Sequence, residues 1–164
     1  VKNGATPYSF IGSENSSNEL QSVHVADPST MSVVGSVNLN EELRTVAVSG
    51  TLAFGGTEQN SDQPEFFVFS VSDPAHPSVI GSFEINANVN KVRVFNNLVF
   101  LATASSTAEF ITLDVTNPTI PLIYGTFNLA GTATDISLSQ SGLYAYVSTQ
   151  SATAGLYILQ VGTK

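Results

Sequence analysis

The chain has 164 residues, 42% of them apolar, with five Lys and Arg against thirteen Asp and Glu, giving a formal charge of −8. That balance describes an ordered domain with its own core, offers no basic surface for DNA, RNA or anionic lipid, and contains no apolar run near the roughly 18 residues a membrane-crossing helix needs. Cysteine is absent, which excludes disulfides, thiolate metal sites and Cys nucleophiles together.

Charged residues make up 11% of the chain, against about 25% in ordinary soluble domains. Ser, Thr and Asn carry the polarity instead, a composition suited to display outside the cell. The opening Val1-Lys2-Asn3-Gly4 reads as the start of a mature or excised region of a longer protein. One glycosylation sequon, Asn15-Ser16-Ser17, is too short a pattern to decide anything.

In chain order, the first apolar strands run from Tyr8, through Leu20 to Val25, and through Val33 to Leu39. A hairpin pair follows at Val46-Ala-Val48 and Leu52-Ala-Phe54 around Ser49-Gly50, then strands from Phe66 to Val71 and from Val79 to Ile85. The same series returns as Val92 to Val94, Leu98 to Phe100 across Asn96-Asn97, Phe110 to Val115, and Ile123 to Leu129. A last series holds Ile136 to Leu138, Tyr144 to Tyr146 across Ser141-Gly142, and Leu156 to Val161. Period-two alternation recurs throughout, and helical periodicity nowhere.

The unit repeats every 44 to 46 residues, with four strands a, b, c and d in each copy. Strand c is closed by Asp27-Pro28, Asp73-Pro74 and Asn117-Pro118: Pro cannot continue a ladder, and Asp or Asn bonds its own downstream backbone. These are turn-formers. Gly35, Gly81 and Gly125 stand within strand d, where a neighbouring backbone must come close or a bulge is required. Strand c is apolar in one register along its length and in the other at its start, so both faces need cover, as in a sheet stacked between two others.

Val71-Ser-Asp-Pro-Ala-His-Pro77 followed by Val79-Ile-Gly81 resembles the LVIVD-repeat family, and the likeness recurs in register from Tyr8 to Val161. The Asp that ends the aliphatic run in that family is kept only as Asp114, and is His24, Ser70 and Gln160 elsewhere. The resemblance implies an all-β propeller of about four blades on a bacterial or archaeal surface protein, with no activity attached. The repeats fall at about 1–39, 40–85, 86–129 and 130–164, giving two complete four-stranded blades and two trimmed terminal ones in a single domain. A small four-bladed ring is the expected closure, and half of a larger propeller the alternative, since an open stack exposes apolar faces.

Chemistry is sparse in the sequence. His24 takes the polar slot of strand c shared with Ser70, Asp114 and Gln160, and His76 sits in an exposed turn. No phosphate loop, nucleophile elbow, zincin or EF-hand pattern occurs, so no cofactor and no metal residue is expected. In a propeller the b–c and d–a connections share one end, which here gathers Glu14, Glu19, Glu58, Asp62, Glu65 and Glu109 with Glu41 and Glu42. This acidic end reads either as a solvated rim or as a face for a basic partner or a hard cation. The expected function is a non-catalytic extracellular binding or display module with a protein or glycan partner, acting as a monomer. The alternative is an assembly subunit that completes a larger propeller or filament with a second chain. A hydrolase or lyase with an acidic channel site is the third reading.

Overall fold

The computed structural model describes residues 2–3, 6–14 and 17–161. Asn15 and Ser16 of the sequon lie outside the described residues. Fifteen antiparallel strands form four sheets, and no helix occurs among the described residues.

The first sheet holds β1 (Lys2–Asn3), β2 (Thr6–Gly12), β3 (Leu20–His24) and β4 (Ser32–Val37). The second holds β5 (Leu43–Ser49), β6 (Leu52–Thr57), β7 (Phe66–Ser70) and β8 (Ser78–Phe83), and the third β9 (Val89–Phe95), β10 (Leu98–Thr103), β11 (Phe110–Asp114) and β12 (Leu122–Phe127). The fourth has only β13 (Ala133–Leu138), β14 (Tyr144–Thr149) and β15 (Leu156–Gln160). Each sheet is one propeller blade with strands in sequence order. The first blade does possess an inner strand, the two-residue β1, so only the fourth is short of a strand among the described residues.

Turn chemistry sets the hairpins. Gly50, Asn96 and Gly142 take the left-handed backbone at φ of 60°, 53° and 70°, a conformation that Gly and Asn adopt most readily. At each c–d corner the Asx side chain accepts a backbone N–H two residues on: Ser29 to Asp27 at 2.8 Å, Ala75 to Asp73 at 3.0 Å and Thr119 to Asn117 at 3.2 Å. The Ser29 hydroxyl, and then its N–H, hold the Asp27 carboxyl below the usual carboxylate range. Asp73 is lowered likewise by the His76 ring, 2.8 Å away, and by Ala75 N–H.

Strand pairing slips by one residue between c and d in each complete blade, so that the register skips Val34, Ile80 and Tyr124 beside the three glycines. Bulges therefore account for all three. Close approach accounts for two: a Cβ on Gly35 would lie 2.4 Å from the Pro74 carbonyl oxygen and one on Gly81 2.3 Å from that of Pro118. Gly125 meets nothing within 4 Å. This holds among the described residues, and the positions of the fourth repeat that correspond to Asp73-Pro74 lie outside them.

Three apolar cores lie between the blades rather than within them. Phe10, Leu20, Phe67 and Phe69 join the first blade to the second, Phe54, Phe66, Leu101 and Leu113 the second to the third, and Phe100, Phe110, Ala145 and Val147 the third to the fourth. Strand contacts between blades follow the same succession. Nothing comparable joins the fourth blade to the first among the described residues, so the blades form an open arc and not the closed four-bladed ring expected from the sequence.

Candidate functional site

The b–c connections close in the same way in every blade. Ser13, Thr57, Thr103 and Thr149 donate their N–H to the carbonyls of Glu19, Glu65, Glu109 and Gly155, at 2.8 to 3.0 Å. In the first three blades this fixes an acid one residue before strand c, with its side chain turned under the end of strand d. Its Oε2 accepts a backbone N–H 20 residues on: Leu39 to Glu19 at 2.7 Å, Ile85 to Glu65 at 2.9 Å and Leu129 to Glu109 at 2.7 Å. Asn86 N–H adds a second bond to Glu65 at 2.9 Å.

All three acids are buried, which corrects their placement on an exposed acidic face. Each desolvated carboxylate is kept there by charge-assisted bonds from backbone donors that would otherwise lack an acceptor. The signal was available as a repeat position: an acid directly before the aromatic or Leu that opens strand c, present in three blades and replaced by Gly155 in the fourth. Around the second of these clamps, Glu84 shares a hydrogen bond with Glu65, and that bond, then burial and like-charge repulsion, raises its pKa.

The remaining acids lie on the connections at the same end. Glu14, Glu42 and Asp62 are exposed, and Glu41 and Glu58 half-buried. Glu58 meets the Arg44 guanidinium at 2.6 Å, Glu41 accepts from the Asn60 amide, and Asp62 N–H donates to Asn60 Oδ1 at 2.8 Å. Glu14, Glu41 and Glu42 surround an open basin of about 350 Å³ with Asn40 and the buried Glu19. Glu19 lines that basin, and its Oε1 is buried with no hydrogen-bond partner among the described residues, whereas Glu65 Oε1 has the Asn60 N–H at 3.4 Å. Among the described residues no three His, Cys, Asp or Glu stand close enough together to share a metal ion.

A second basin, about 410 Å³, opens on the same end and was missed from the sequence. It is lined by Arg44, Asn90 and Thr134 with Asn88, Thr132 and Gln150. Arg44, Asn90 and Thr134 are the residues skipped by the a–b pairing in their blades, and a bulge re-aims the side chain that it frees. The histidines stay apart from both basins: His24 stands edge-on to the Tyr8 ring at 5.7 Å, and His76 is spent on Asp73 in an exposed turn.

A family model described as LVIVD repeat matches residues 130–161. The match falls on the a, b and c strands of the fourth blade, not on the second repeat, where the motif stands out to the eye. No curated protein matches the chain. The fold is similar to that of the computationally designed Ika4 protein, at 8% identity and a TM-score of 0.68 over 97% of this chain and 94% of that one. It is similar to a functionally unknown protein from Desulfotomaculum acetoxidans, at 16% identity and 0.70 over 88% of this chain and 45% of that one. The β-propeller domain of Myceliophteria thermophila Cps50 (Swd1) gives 15% and 0.64, over 86% of this chain and 49% of that domain. The chain thus spans about half of the two longer proteins, and the class it shares with the Cps50 domain is the β-propeller.

Proposed function

We propose that this chain is a non-catalytic binding module of an extracellular protein, and that its loop end takes a basic segment of a protein partner. The observation that carries the reading is the acidic basin of Glu14, Glu41 and Glu42, whose lining includes Glu19, a buried acid with one oxygen unbonded among the described residues. A buried carboxylate oxygen left unbonded is costly, and a Lys ammonium or Arg guanidinium supplies the missing donors along with opposite charge. The basin has room for such a side chain, and the surrounding blades hold its walls in place.

The acids best shielded from water are Glu19, Glu65 and Glu109, and each is occupied in pinning strand d. That employment supports a scaffold over an acid–base machine. The low charge fraction and Ser, Thr and Asn-rich surface support placement outside the cell.

The test is titration of a Lys/Arg-rich peptide and a matched Glu-rich peptide, followed by calorimetry. The basic peptide is expected to bind, with affinity falling as salt rises, and the doubly substituted Glu41→Gln, Glu42→Gln protein to bind at least several-fold more weakly. Equal affinity for both peptides, or an unchanged affinity in the variant, overturns the proposal. Accessibility of the chain to an added protease on intact source cells tests the location.

A further inference from the structure

The two basins at the loop end draw on the same repeat positions. One is the residue after the b–c clamp donors Ser13, Thr57, Thr103 and Thr149, and there the chain reads Glu14, Glu58, Ala104 and Gln150. Another stands two residues before the skipped bulge position of strand a, and reads Glu42, Asn88 and Thr132. Carboxylates therefore fill these positions in the first two blades, and amides, a hydroxyl and a methyl fill them in the last two. Glu14 and Glu42 line the acidic basin, and their four neutral counterparts line the second.

Hydrogen bonds hold the second basin in shape. Ala104 N–H donates to the Asn88 carbonyl and Gln150 N–H to that of Thr132, each at 2.9 Å, which locks the two loops of the third blade together and likewise those of the fourth. Arg44 Nη1 donates to Asn90 Oδ1 at 3.5 Å, and Asn90 Nδ2 to the Ala133 carbonyl at 2.7 Å, so the basin's side chains tie three blades together. Asn88 Oδ1 accepts the Gln59 N–H at 2.7 Å, which leaves its two amide donors for other partners. The Thr132 hydroxyl and the Gln150 carboxamide take no part in these contacts. Arg44 brings the one charge among the lining residues, and Glu58 cancels it at 2.6 Å.

We propose that this basin binds a neutral saccharide of one or two sugar rings. Its volume of about 410 Å³ lies within the range of small-molecule sites. The lining offers donors and acceptors together, which suits hydroxyl groups that both donate and accept, and a guanidinium or carboxamide can bond two neighbouring ring hydroxyls at once. With Arg44 already paired, an anionic ligand gains no net attraction. No aromatic side chain lines the basin to stack on a base, and only Ala104 and the threonine methyls are there to meet sugar C–H groups. Walls locked by backbone bonds lower the ordering cost of binding. The site is separate from the acidic basin and does not depend on what that basin takes.

The test is an NMR titration with glucose, galactose, mannose, N-acetylglucosamine, cellobiose and lactose, with glucuronate as the charged control. At least one neutral sugar should give saturable shifts centred on the amides of Asn90, Thr134 and Gln150, with the same affinity in low and high salt, and glucuronate should bind no better than glucose. Thr132→Val and Gln150→Ala should each weaken that sugar by about five-fold, the usual effect of one lost hydrogen bond, with circular dichroism unchanged. Both variants should keep the parent's response to the Lys/Arg-rich peptide, so the outcome at this site is read apart from that at the acidic basin. Absence of a saturable shift with all six neutral sugars, shifts centred outside the basin, a preference for glucuronate that fades with salt, or unchanged affinity in both variants would each overturn the proposal.

Discussion

Gly81 lies beneath the carbonyl of Pro118: a Cβ built on it would stand 2.3 Å from that oxygen. The contact joins strand d of the second blade to the Asx-Pro turn of the third, and Gly35 repeats it against Pro74 at 2.4 Å. In each case the obstacle is backbone, which cannot rotate away as a side chain can. The turn that ends one strand thus sets the spacing between neighbouring blades, and the glycine is the surface it rests on.

Gly35→Ala and Gly81→Ala should each destabilise the protein by about 1–3 kcal/mol, the usual range for overpacking a close contact. Gly125→Ala, at the same repeat position with nothing within 4 Å among the described residues, should be neutral, or stabilise by up to about 1 kcal/mol through the unfolded chain. Urea unfolding of the three variants separates the outcomes. Equal losses at all three positions would mean that the bulge, and not the neighbouring turn, demands glycine.

The buried acids make a prediction of their own. Glu109→Ala leaves the Leu129 N–H without its acceptor, and the loss should be about 1–3 kcal/mol. Glu109→Gln keeps a carbonyl oxygen in reach and should cost less. Amide hydrogen exchange at Leu129 should speed up in the Ala variant and much less in the Gln variant. An unprotected Leu129 amide in the parent protein would remove the basis for both expectations.

How far the sequence discloses this molecule depends on which force places a residue. Strand order and the Asx-Pro turns were legible because period-two alternation and the missing proline N–H act locally, and they brought the propeller and its four repeats into view. The clamps were not. A Glu on a loop is usually solvated, and the need that buries Glu19, Glu65 and Glu109 is a backbone donor 20 residues away, which the sequence marks only by an acid recurring directly before strand c in three repeats. The bulges that aim Arg44, Asn90 and Thr134 at one basin are single-residue slips in pairing, and leave little mark on the apolar period.

Phe54 and Phe66 stack with ring centroids 6.4 Å apart and planes 10° from parallel, at the centre of the contact between the second and third blades. Phe54→Ala should cost about 3–5 kcal/mol, the range for emptying a buried aromatic site. Because stability in a repeat array is shared between neighbours, hydrogen exchange should rise first in β6, β7, β9 and β10. Uniform acceleration across all four blades would show instead that the arc unfolds as a single cooperative unit.

Glu84 and Glu65 provide the pH test. The hydrogen bond between them raises the folded-state pKa of Glu84, so between the ordinary glutamate value and that raised one the folded protein holds more proton than the unfolded chain. By linkage, stability falls as pH rises through this window and stays lower above it, where Glu84 is charged. Glu84→Gln removes the opposing charge while leaving an oxygen that can still accept from Asn86 N–H. The variant should therefore melt higher than the parent at neutral pH, and the advantage should shrink as pH falls toward about 4, near the unperturbed glutamate pKa. A melting difference that is the same at both pH values would show that Glu84 does not share its proton with Glu65.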